Sequence, residues 1–470
     1  MTEPLCPGCR QRDARIAELE RRVAELEALV RELLARLGQN ACNSSVPPSA
    51  NPPSAPPPVV KPKSRRKPGG QPGHPPHLRQ LLPPERVTRV EPIVPSHCAR
   101  CQTPLPPQAG PDDPPPLRHQ VADLPALRAE VVEYQGHART CPECGHITQA
   151  PIPAAVRAHS IGPGLAAALS YLAGCHHVSK RGLEEISETL FEVPVALGTV
   201  ANLEQEMSAA LAPAHAEALE VVRQAKVKHV DETGWKQAGQ KCWLWLAATT
   251  SVAAFLIHPR RSLTALIALL GEKIRGFVCS DRWSAYDALS ALRRQVCWAH
   301  LKRDFQKCID RGGAAVAIGE AGLRVVQKVF KAWHLFRGGG CTRASLQRRL
   351  SPVARHLREE ILEAGRACAD AKVARFCENL IALEPALWRF VVTAGVEPTN
   401  NHAERLLRRG VLWRKNAFGC SSSGGCRFVE RILTAVQTLR LQRRSVLTFL
   451  RDSLIAHRAG LPTPKLVLEG

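Results

Sequence analysis

Two short apolar stretches that each end in an aspartate decide the fold of this 470-residue chain. They are Lys226-Val-Lys-His-Val-Asp231 and Gly276-Phe-Val-Cys-Ser-Asp281. Each is typical of a buried β-strand, because short apolar runs bounded by polar residues suit a strand that is covered on both faces. Between them the sequence predicts two more strands, at 242–249 and 252–258, and a helix at 263–270. The expected fold class is therefore a multidomain α/β protein.

Three strands, a helix and a further strand make the opening of an RNase H-like sheet, in which the two aspartates project from strands that are close in space. Carboxylates there suit two hard divalent cations, Mg²⁺ or Mn²⁺, which act together in displacement reactions at phosphate. A third acid must come from elsewhere. The segment Thr399-Asn-Asn-His-Ala-Glu-Arg405 starts an amphipathic helix, with Thr399 or Asn400 as the N-cap and Glu404 in the early turns. Asp231, Asp281 and Glu404 are thus the predicted catalytic metal ligands.

Each of these acids also has a purely structural interpretation. Asp231 and Asp281 could only terminate strands, and Glu404 could pair with Arg408 on a helix surface. Glu232 should point to the opposite face of its strand, so Asp231 is the preferred ligand. Asp287 falls in a probable helix beyond Asp281 and is a weaker candidate.

The charge of the chain favours a polyanionic partner. Sixty-four Lys and Arg residues stand against 42 Asp and Glu residues, a formal net charge of +22. Double-stranded DNA is the first expectation, with an acidic membrane surface or an arginine-rich genome as alternatives. The sequence shows neither an apolar run of membrane-spanning length nor a signal-peptide pattern, so it predicts a cytoplasmic protein without a membrane partner.

Four of the 17 cysteines form two CxxC knuckles, Cys98-Ala-Arg-Cys101 and Cys141-Pro-Glu-Cys144, on either side of a strand-like stretch at 131–134. Four thiolates can close one tetrahedral site, so the sequence predicts a structural Zn²⁺ bound by Cys98, Cys101, Cys141 and Cys144. His97 and His146 are possible substitute ligands. A third pair, Cys6 and Cys9, has no second pair nearby and is weak evidence for metal.

A heptad pattern opens the chain, with Ile16, Val23 and Val30 at a positions and leucines at d positions. β-Branched residues at a with leucine at d favour a parallel dimer. Arg15 and Arg22 would then meet Glu20 and Glu27 across the two chains. The alternative is a single amphipathic helix that packs on the protein's own core.

The remaining pattern is mostly helical. Two helices, Ser179–Leu190 and one from about Gly198, are separated by a tight break and suggest either a helix-turn-helix that reads DNA or simple packing. The segments predicted along the chain are a coiled-coil zipper at 12–38, a Pro-rich basic linker at 43–75, a zinc-binding domain at 85–150, a helix-turn-helix-like region at 160–215, the first part of an RNase H-like core at 224–306, an all-α insertion at 307–398, the core helix with the third acid at 399–425 and a C-terminal helical tail at 426–470. Trp333 and Trp388 in the insertion are expected to pack rather than to contact DNA.

Several of these motifs together resemble one family. They are Asp231-Glu-Thr-Gly-Trp235, Ser280-Asp281 with Ala285-Tyr-Asp287, Cys297-Trp-Ala-His-Leu-Lys-Arg-Asp304, Thr399 to Arg405, Trp413-Arg-Lys415 and Phe418-Gly419, together with the N-terminal zipper, the proline linker and the Gly69-Gly-Gln-Pro-Gly73 motif. In these motifs the chain closely resembles transposases of the insertion sequence 66 family. Arg282-Trp283 and Arg408-Arg409 depart from the pairs expected there and indicate a divergent or decayed copy.

The resemblance implies a DDE transposase that cuts at terminal inverted repeats and joins the ends to target DNA, with Asp231, Asp281 and Glu404 as the metal-binding triad. His300 is then expected beside the active site rather than as a structural histidine. Arg405, Arg414 and Lys415 are expected to contact DNA phosphates, because they follow the third acid. A zipper homodimer is the expected assembly, with accessory proteins of the same element as possible partners. An inactive zinc-containing DNA-binding regulator and a nuclease that cleaves without joining are the competing functions.

Overall fold

The computed structural model describes residues 7–37, 79–108, 110–125 and 127–468. The predicted linker at 43–75, its glycine-rich motif and Cys6 lie outside these residues. Contacts divide the chain into two units, one of residues 57–128 and one of residues 1–56 with 129–470. The boundary at 128 falls inside the predicted zinc-binding domain at 85–150, so the Cys98 and Cys141 knuckles belong to different units.

The smaller unit has little regular structure in its described part. A one-turn 3-10 helix covers Pro84–Arg86. The main chain of Leu82 exchanges two hydrogen bonds, of 2.8 and 3.0 Å, with the side-chain amide of Gln120. Such side-chain bonds take the place of a sheet ladder in holding this segment together.

The N-terminal helix α1 (Pro7–Leu37) carries the predicted heptad pattern. Ile16, Leu19 and Val23 on its seam are 52, 46 and 53% exposed, so nothing in the described residues covers that stripe. Ion pairs run along this helix from Arg15 to Glu18 and from Arg21 to Glu25. Pairing with a second chain stays a prediction.

The larger unit is a mixed α/β structure. Its other helices are α2 (Ala154–Arg157), α3 (Pro163–His176), α4 (Lys180–Phe191), α5 (Leu197–Ala210), α6 (Ala212–Gln224), α7 (Leu263–Leu270), α8 (Trp298–Arg311), α9 (Ala315–Arg337), α10 (Arg343–His356), α11 (Glu363–Arg366), α12 (Ala371–Ala382), α13 (Glu384–Leu387), α14 (Arg389–Val392), α15 (Asn401–Ala417), α16 (Ser423–Leu441) and α17 (Val446–Arg458). A π-helical segment, Leu357–Leu362, joins α10 to α11. None of the helices in the described ranges is both long and apolar enough to cross a membrane.

Two sheets accompany these helices. The strands are β1 (Ala138–Thr140), β2 (Ile147–Gln149), β3 (Val227–Gln237), β4 (Gln240–Ala248), β5 (Ala253–His258), β6 (Phe277–Ser280) and β7 (Arg294–Val296). β1 and β2 form a small hairpin, and the other five form a sheet of order β5-β4-β3-β6-β7. In the five-stranded sheet β3 pairs antiparallel with β4 and parallel with β6. The predicted succession of three strands, a helix and a strand is present as β3, β4, β5, α7 and β6.

The first strand of this sheet is longer than the sequence predicts. The prediction ended it at Asp231, and this was wrong, because β3 continues to Gln237. Residues 231–237 pair one by one with β4 down to a tight turn at Ala238 and Gly239, both of which have positive φ. The Glu-Thr-Gly stretch after Asp231 looks like a turn locally, but the long-range pairing keeps it extended.

Two further differences concern short strands. The stretch at 131–134 is not paired into a sheet; the small hairpin instead brackets the second cysteine knuckle. The sequence also gave no sign of β7, whose Arg294 and Gln295 are buried polar residues. A strand that buries polar side chains lacks the apolar pattern by which strands are recognised.

Helix α16 protects the outer edge of the sheet. The N–H groups of Ala253 and Phe255 on edge strand β5 donate to the hydroxyls of Thr438 and Thr434, each over 3.0 Å. The Ile257 N–H donates to Glu430 Oε1 over 2.6 Å. Acceptors four residues apart on one helix face therefore satisfy every second residue of the strand, which removes an edge open to further pairing.

The unit contains two apolar cores. One joins the sheet to α3, α5, α6, α7, α15, α16 and α17, and the other joins β7 and α8 to the helices of the segment predicted as an insertion. Trp333 is 8% exposed, with its ring 5.5 Å from that of Phe390, and the Trp388 ring lies 5.0 Å from that of Trp298. Both tryptophans thus pack within the second core, as expected.

Candidate active site

Strand register brings the first two predicted acids together. The last residue pair between the parallel strands β3 and β6 is His229 with Cys279. Asp231 and Asp281 both lie two residues beyond that pair, so they leave neighbouring strands on the same face and at the same height. The sequence prediction that strand ends would place these two acids side by side is consistent with this register.

Arg294 stabilises the loop that carries Asp281. This fully buried guanidinium donates to the Asp281 main-chain oxygen over 2.8 Å and to the Tyr286 carbonyl over 3.1 Å. In the same loop, the Trp283 N–H donates to Asp281 Oδ1 over 2.9 Å. Asp287 instead forms an ion pair with Arg294 at 3.2 Å, which accounts for it as a structural residue.

Glu232, the residue after Asp231 on β3, has a structural role. Its Oε1 accepts from Arg261 over 2.7 Å, and its Oε2 accepts from the Tyr286 hydroxyl over 2.5 Å. Both oxygens are therefore engaged inside the protein, whereas Asp231 Oδ1 accepts only the neighbouring Glu232 N–H. This contrast supports the choice of Asp231 over Glu232. Arg261 also lies over the Trp283 ring, 3.8 Å from its centroid, and reaches within 3.9 Å of Asp281.

The buried side chain of Asn400 joins the third acid's helix to the sheet. Asn400 occupies the N-cap position of α15 but makes no capping bond. Its Nδ2 donates to the Val230 carbonyl over 2.7 Å, and its Oδ1 lies 3.1 Å from His229 Nδ1. Its main-chain N–H donates to Cys297 Sγ over 3.2 Å, at the start of α8. One residue thus connects β3, α8 and α15.

Tight packing keeps α15 close along the same strands. A side chain at Gly410 would meet Leu244 of β4, and the Arg414 guanidinium donates to the Gly234 carbonyl and, over 3.2 Å, to Thr233 Oγ1. Glu404, in the first turns of α15, is thereby held near Asp231. The alternative pairing of Glu404 with Arg408 is not among the ion pairs of the described residues; Glu404 Oε1 instead lies 3.6 Å from His300 Nδ1.

The charges of neighbouring acids affect the pKa of Asp231. Burial raises the pKa of Asp231 well above its usual value, and the negative charges of Glu232, Asp281 and Glu404 raise it further. Burial and the nearby Arg303 charge lower the pKa of His300, which favours its neutral form. Such a concentration of like charge is unfavourable unless protons or cations neutralise it.

The predicted phosphate contacts have different surroundings. Arg405 and Lys415 are exposed on α15, so their cationic groups face solvent. Arg414 is half-buried and already hydrogen-bonded to β3, so it joins α15 to that strand. His300 is half-buried beside Glu404, which places it next to the acids as expected.

Each CxxC pair forms a tight knuckle within its own unit. The Gln102 N–H donates back to the Cys98 carbonyl, and the Gly145 N–H donates back to the Cys141 carbonyl, each over 2.9 Å. Hydrogen bonds from Thr103 and Cys98 lower the pKa of Cys101 to about 7. Main-chain hydrogen bonds from Cys144 and Glu143 lower the pKa of Cys141. Both turns therefore favour thiolates, the form that binds metal.

Two carboxylates at matched positions on neighbouring strands, with a third near enough to raise the pKa of Asp231, make up a site of the kind that binds divalent cations. Comparison with known proteins is consistent with this class. Residues 159–427, more than half of the chain, match the transposase IS66 family, and the chain belongs to that family. Residues 1–80 match a family of unknown function, DUF6444.

A curated relative is an uncharacterized protein, y4qI, of Sinorhizobium fredii (strain NBRC 101917 / NGR234). It is 25% identical over 251 residues, which are 48% of this chain and 46% of the relative. The chain thus spans about half the length of this relative.

Proposed function

We propose that the chain is a DNA transposase that binds the terminal inverted repeats of an insertion sequence and catalyses cleavage and strand transfer. The observation that carries the proposal is the strand register that puts Asp231 and Asp281 at matched positions, with Glu404 near Asp231. Family membership and the net charge of +22 support it. The sheet order β5-β4-β3-β6-β7 supports an RNase H-like core as the scaffold.

The three acids fit the Mg²⁺ or Mn²⁺ ions expected of such an enzyme. All three offer oxygen ligands, which these ions prefer, and their mutual repulsion is the kind of charge excess that cations relieve. When bound, two ions would polarise the scissile phosphate and the attacking hydroxyl or water. Asp231 and Asp281 would hold them from the sheet, and Glu404 would hold them from α15.

Other groups around the acids suit a phosphate backbone. The N-termini of α8 and α15 both lie at this site, and helix N-termini favour anions. The exposed Arg405 and Lys415 are proposed to contact phosphates on the DNA that enters. In this assignment Arg414 acts mainly by holding α15 against β3.

Substitution of the acids tests the proposal directly. Asp231→Asn, Asp281→Asn and Glu404→Gln should each lower Mg²⁺-dependent cleavage and joining of repeat-end DNA by more than about 100-fold, because each removes a direct metal ligand. Asp452→Asn, at a half-buried acid of α17 that pairs with Arg451, is the control and should retain activity. Undiminished activity in Asp231→Asn would refute the assignment. Hydrolysis without a joined product in the unmodified protein would identify a nuclease instead.

We also propose that the cysteine knuckles bind structural Zn²⁺, one knuckle through Cys98 and Cys101 and the other through Cys141 and Cys144. The knuckle shape of each turn and the lowered pKa values of Cys101 and Cys141 support it. Protein purified under mild conditions without any zinc would contradict it.

A parallel homodimer through α1 is the proposed assembly. The support is the exposed apolar seam of a 31-residue helix, since a stripe of this kind normally has a partner. Accessory proteins of the same element remain further candidates for partners. Sedimentation of the full chain as a monomer at high concentration would exclude the dimer.

A further inference from the structure

Two buried polar atoms beside the acids lack a hydrogen-bond partner in the described part of the chain. They are His300 Nδ1 and Glu404 Oε1, whose separation of 3.6 Å is too long for a hydrogen bond. Such an atom destabilises the folded state when it stays unsatisfied. The facing pair is therefore arranged to bind a third group.

A thiol completes this arrangement. Cys297 Sγ, a ring nitrogen of His300 and a carboxylate oxygen of Glu404 all lie within 4.8 Å of one another. Cys297 is the N-cap residue of α8, and its sulfur accepts the Asn400 N–H. Burial raises the pKa of Cys297 to about 11, and the main-chain N–H groups of Asn400 and His300 oppose that shift. This Cys-x-x-His turn resembles half of a zinc knuckle in its chemistry, with sulfur and imidazole presented from one helix start.

We propose that Cys297, His300 and Glu404 bind a borderline divalent cation of the Zn²⁺ class, with water as the fourth ligand. Sulfur, nitrogen and oxygen together suit Zn²⁺, whereas Mg²⁺ prefers oxygen alone. Ligands at about 2.0–2.3 Å from a tetrahedral ion lie about 3.3–3.8 Å from each other. The ligand atoms, now within 4.8 Å of one another, thus need to approach by at most about 1.5 Å. Binding displaces the Cys297 thiol proton to solvent.

The site shares Glu404 with the catalytic triad. Its effect on catalysis therefore rests on the proposed function: occupation by Zn²⁺ would take up the carboxylate that the catalytic cations need. Zn²⁺ should inhibit the Mg²⁺-dependent reaction, and removal of Cys297 should relieve that inhibition. The cation binding itself does not depend on the enzymatic activity.

Cobalt titration of the metal-free full chain tests the binding, because Co²⁺ reports thiolate ligation in its absorption spectrum. The CxxC pairs are also expected to bind Co²⁺, so the readout is the difference between variants. The unmodified protein should bind one more equivalent than Cys297→Ser and than His300→Ala, or bind that equivalent more than about 100-fold more tightly. Cys308→Ser, a buried cysteine of the same helix, is the matched control and should match the unmodified protein.

Two results would overturn the site. One is equal stoichiometry and affinity in the unmodified protein and in Cys297→Ser, with thermal unfolding showing that the variant is folded. The other is loss of the additional equivalent of bound Co²⁺ in Cys308→Ser. Asp231→Asn should still bind this additional equivalent of Co²⁺, so the binding can be measured even if DNA cleavage is never observed. If Zn²⁺ inhibits the unmodified protein and Cys297→Ser equally, the shared role of Glu404 is refuted.

Discussion

The three acids of the candidate site are held in two different ways. Asp231 and Asp281 leave adjacent strands at matched positions, so main-chain hydrogen bonds between β3 and β6 set their separation. Glu404 lies on a helix, and the side chains of Asn400 and His402 make polar contacts that join the start of that helix to β3 and to the turn after β4. Backbone register tolerates most side-chain changes, whereas a helix docked by a few side chains depends on their identity. Glu404 is therefore the acid most easily displaced.

The largest expected effect comes from breaking the Asn400 link. Asn400→Leu leaves the Val230 carbonyl and the His229 ring nitrogen buried without partners, which should lower the free energy of unfolding by about 2–6 kcal/mol. Displacement of Glu404 by about 1 Å should lower DNA cleavage by about 100-fold. Asn401→Ala, at the exposed neighbour, is the control. A variant with unchanged Mg²⁺ dependence and activity would show that Asn400 does not position Glu404.

Helix α16 is a second helix that side-chain hydrogen bonds hold against the sheet. One of its acceptors, Glu430, extends the comparison to an ionisable group. Burial raises the pKa of Glu430 to about 7 from 4.5. A folded-state pKa above the unfolded one gives stability that is full below about pH 4.5 and is lost as pH rises through about 7. Glu430→Gln keeps an oxygen for the Ile257 N–H without the charge. At pH 8 it should be more stable than the unmodified protein by at most about 3 kcal/mol.

Chemical denaturation between pH 4 and pH 8 measures this difference. Glu188→Gln, at an exposed glutamate of α4, should leave the pH profile unchanged. Parallel profiles for the unmodified protein and Glu430→Gln would show that Glu430 does not titrate in this window.

The smallest effect is expected at Thr434, on the same helix. Thr434→Val keeps the shape of the side chain but leaves the Phe255 N–H of the edge strand without an acceptor, which should cost about 1–3 kcal/mol. Thr434→Ser keeps the hydroxyl and should lose less. Urea unfolding of both variants measures the contrast. Greater loss in Thr434→Ser would mean that packing of the methyl group, and not the hydrogen bond, secures the edge.

Much of the fold was predictable from local pattern. The helix at 263–270 and the strands of the β4–β5 hairpin lie within a residue or two of the predicted bounds, because their apolar runs are long and end at clear polar residues. The continuation of β3 past Asp231 and the whole of β7 were not predictable. Both depend on partners far along the chain, and β7 buries Arg294 and Gln295 where an apolar pattern would be expected.

The candidate site, too, was predictable where it depends on local sequence and not where it depends on long-range packing. The chain sequence by itself determined which residue types can bind cations, the strand placement of Asp231 and Asp281, and the CxxC knuckles, because these follow from composition and short-range spacing. The tertiary structure decided that Glu232 is engaged by Arg261 and Tyr286, that Asn400 ties α15 to β3, and that Cys297 and His300 face Glu404. About 100 residues separate His300 from Glu404 along the chain, so only the packing of α8 and α15 against one sheet edge could bring those atoms within 3.6 Å.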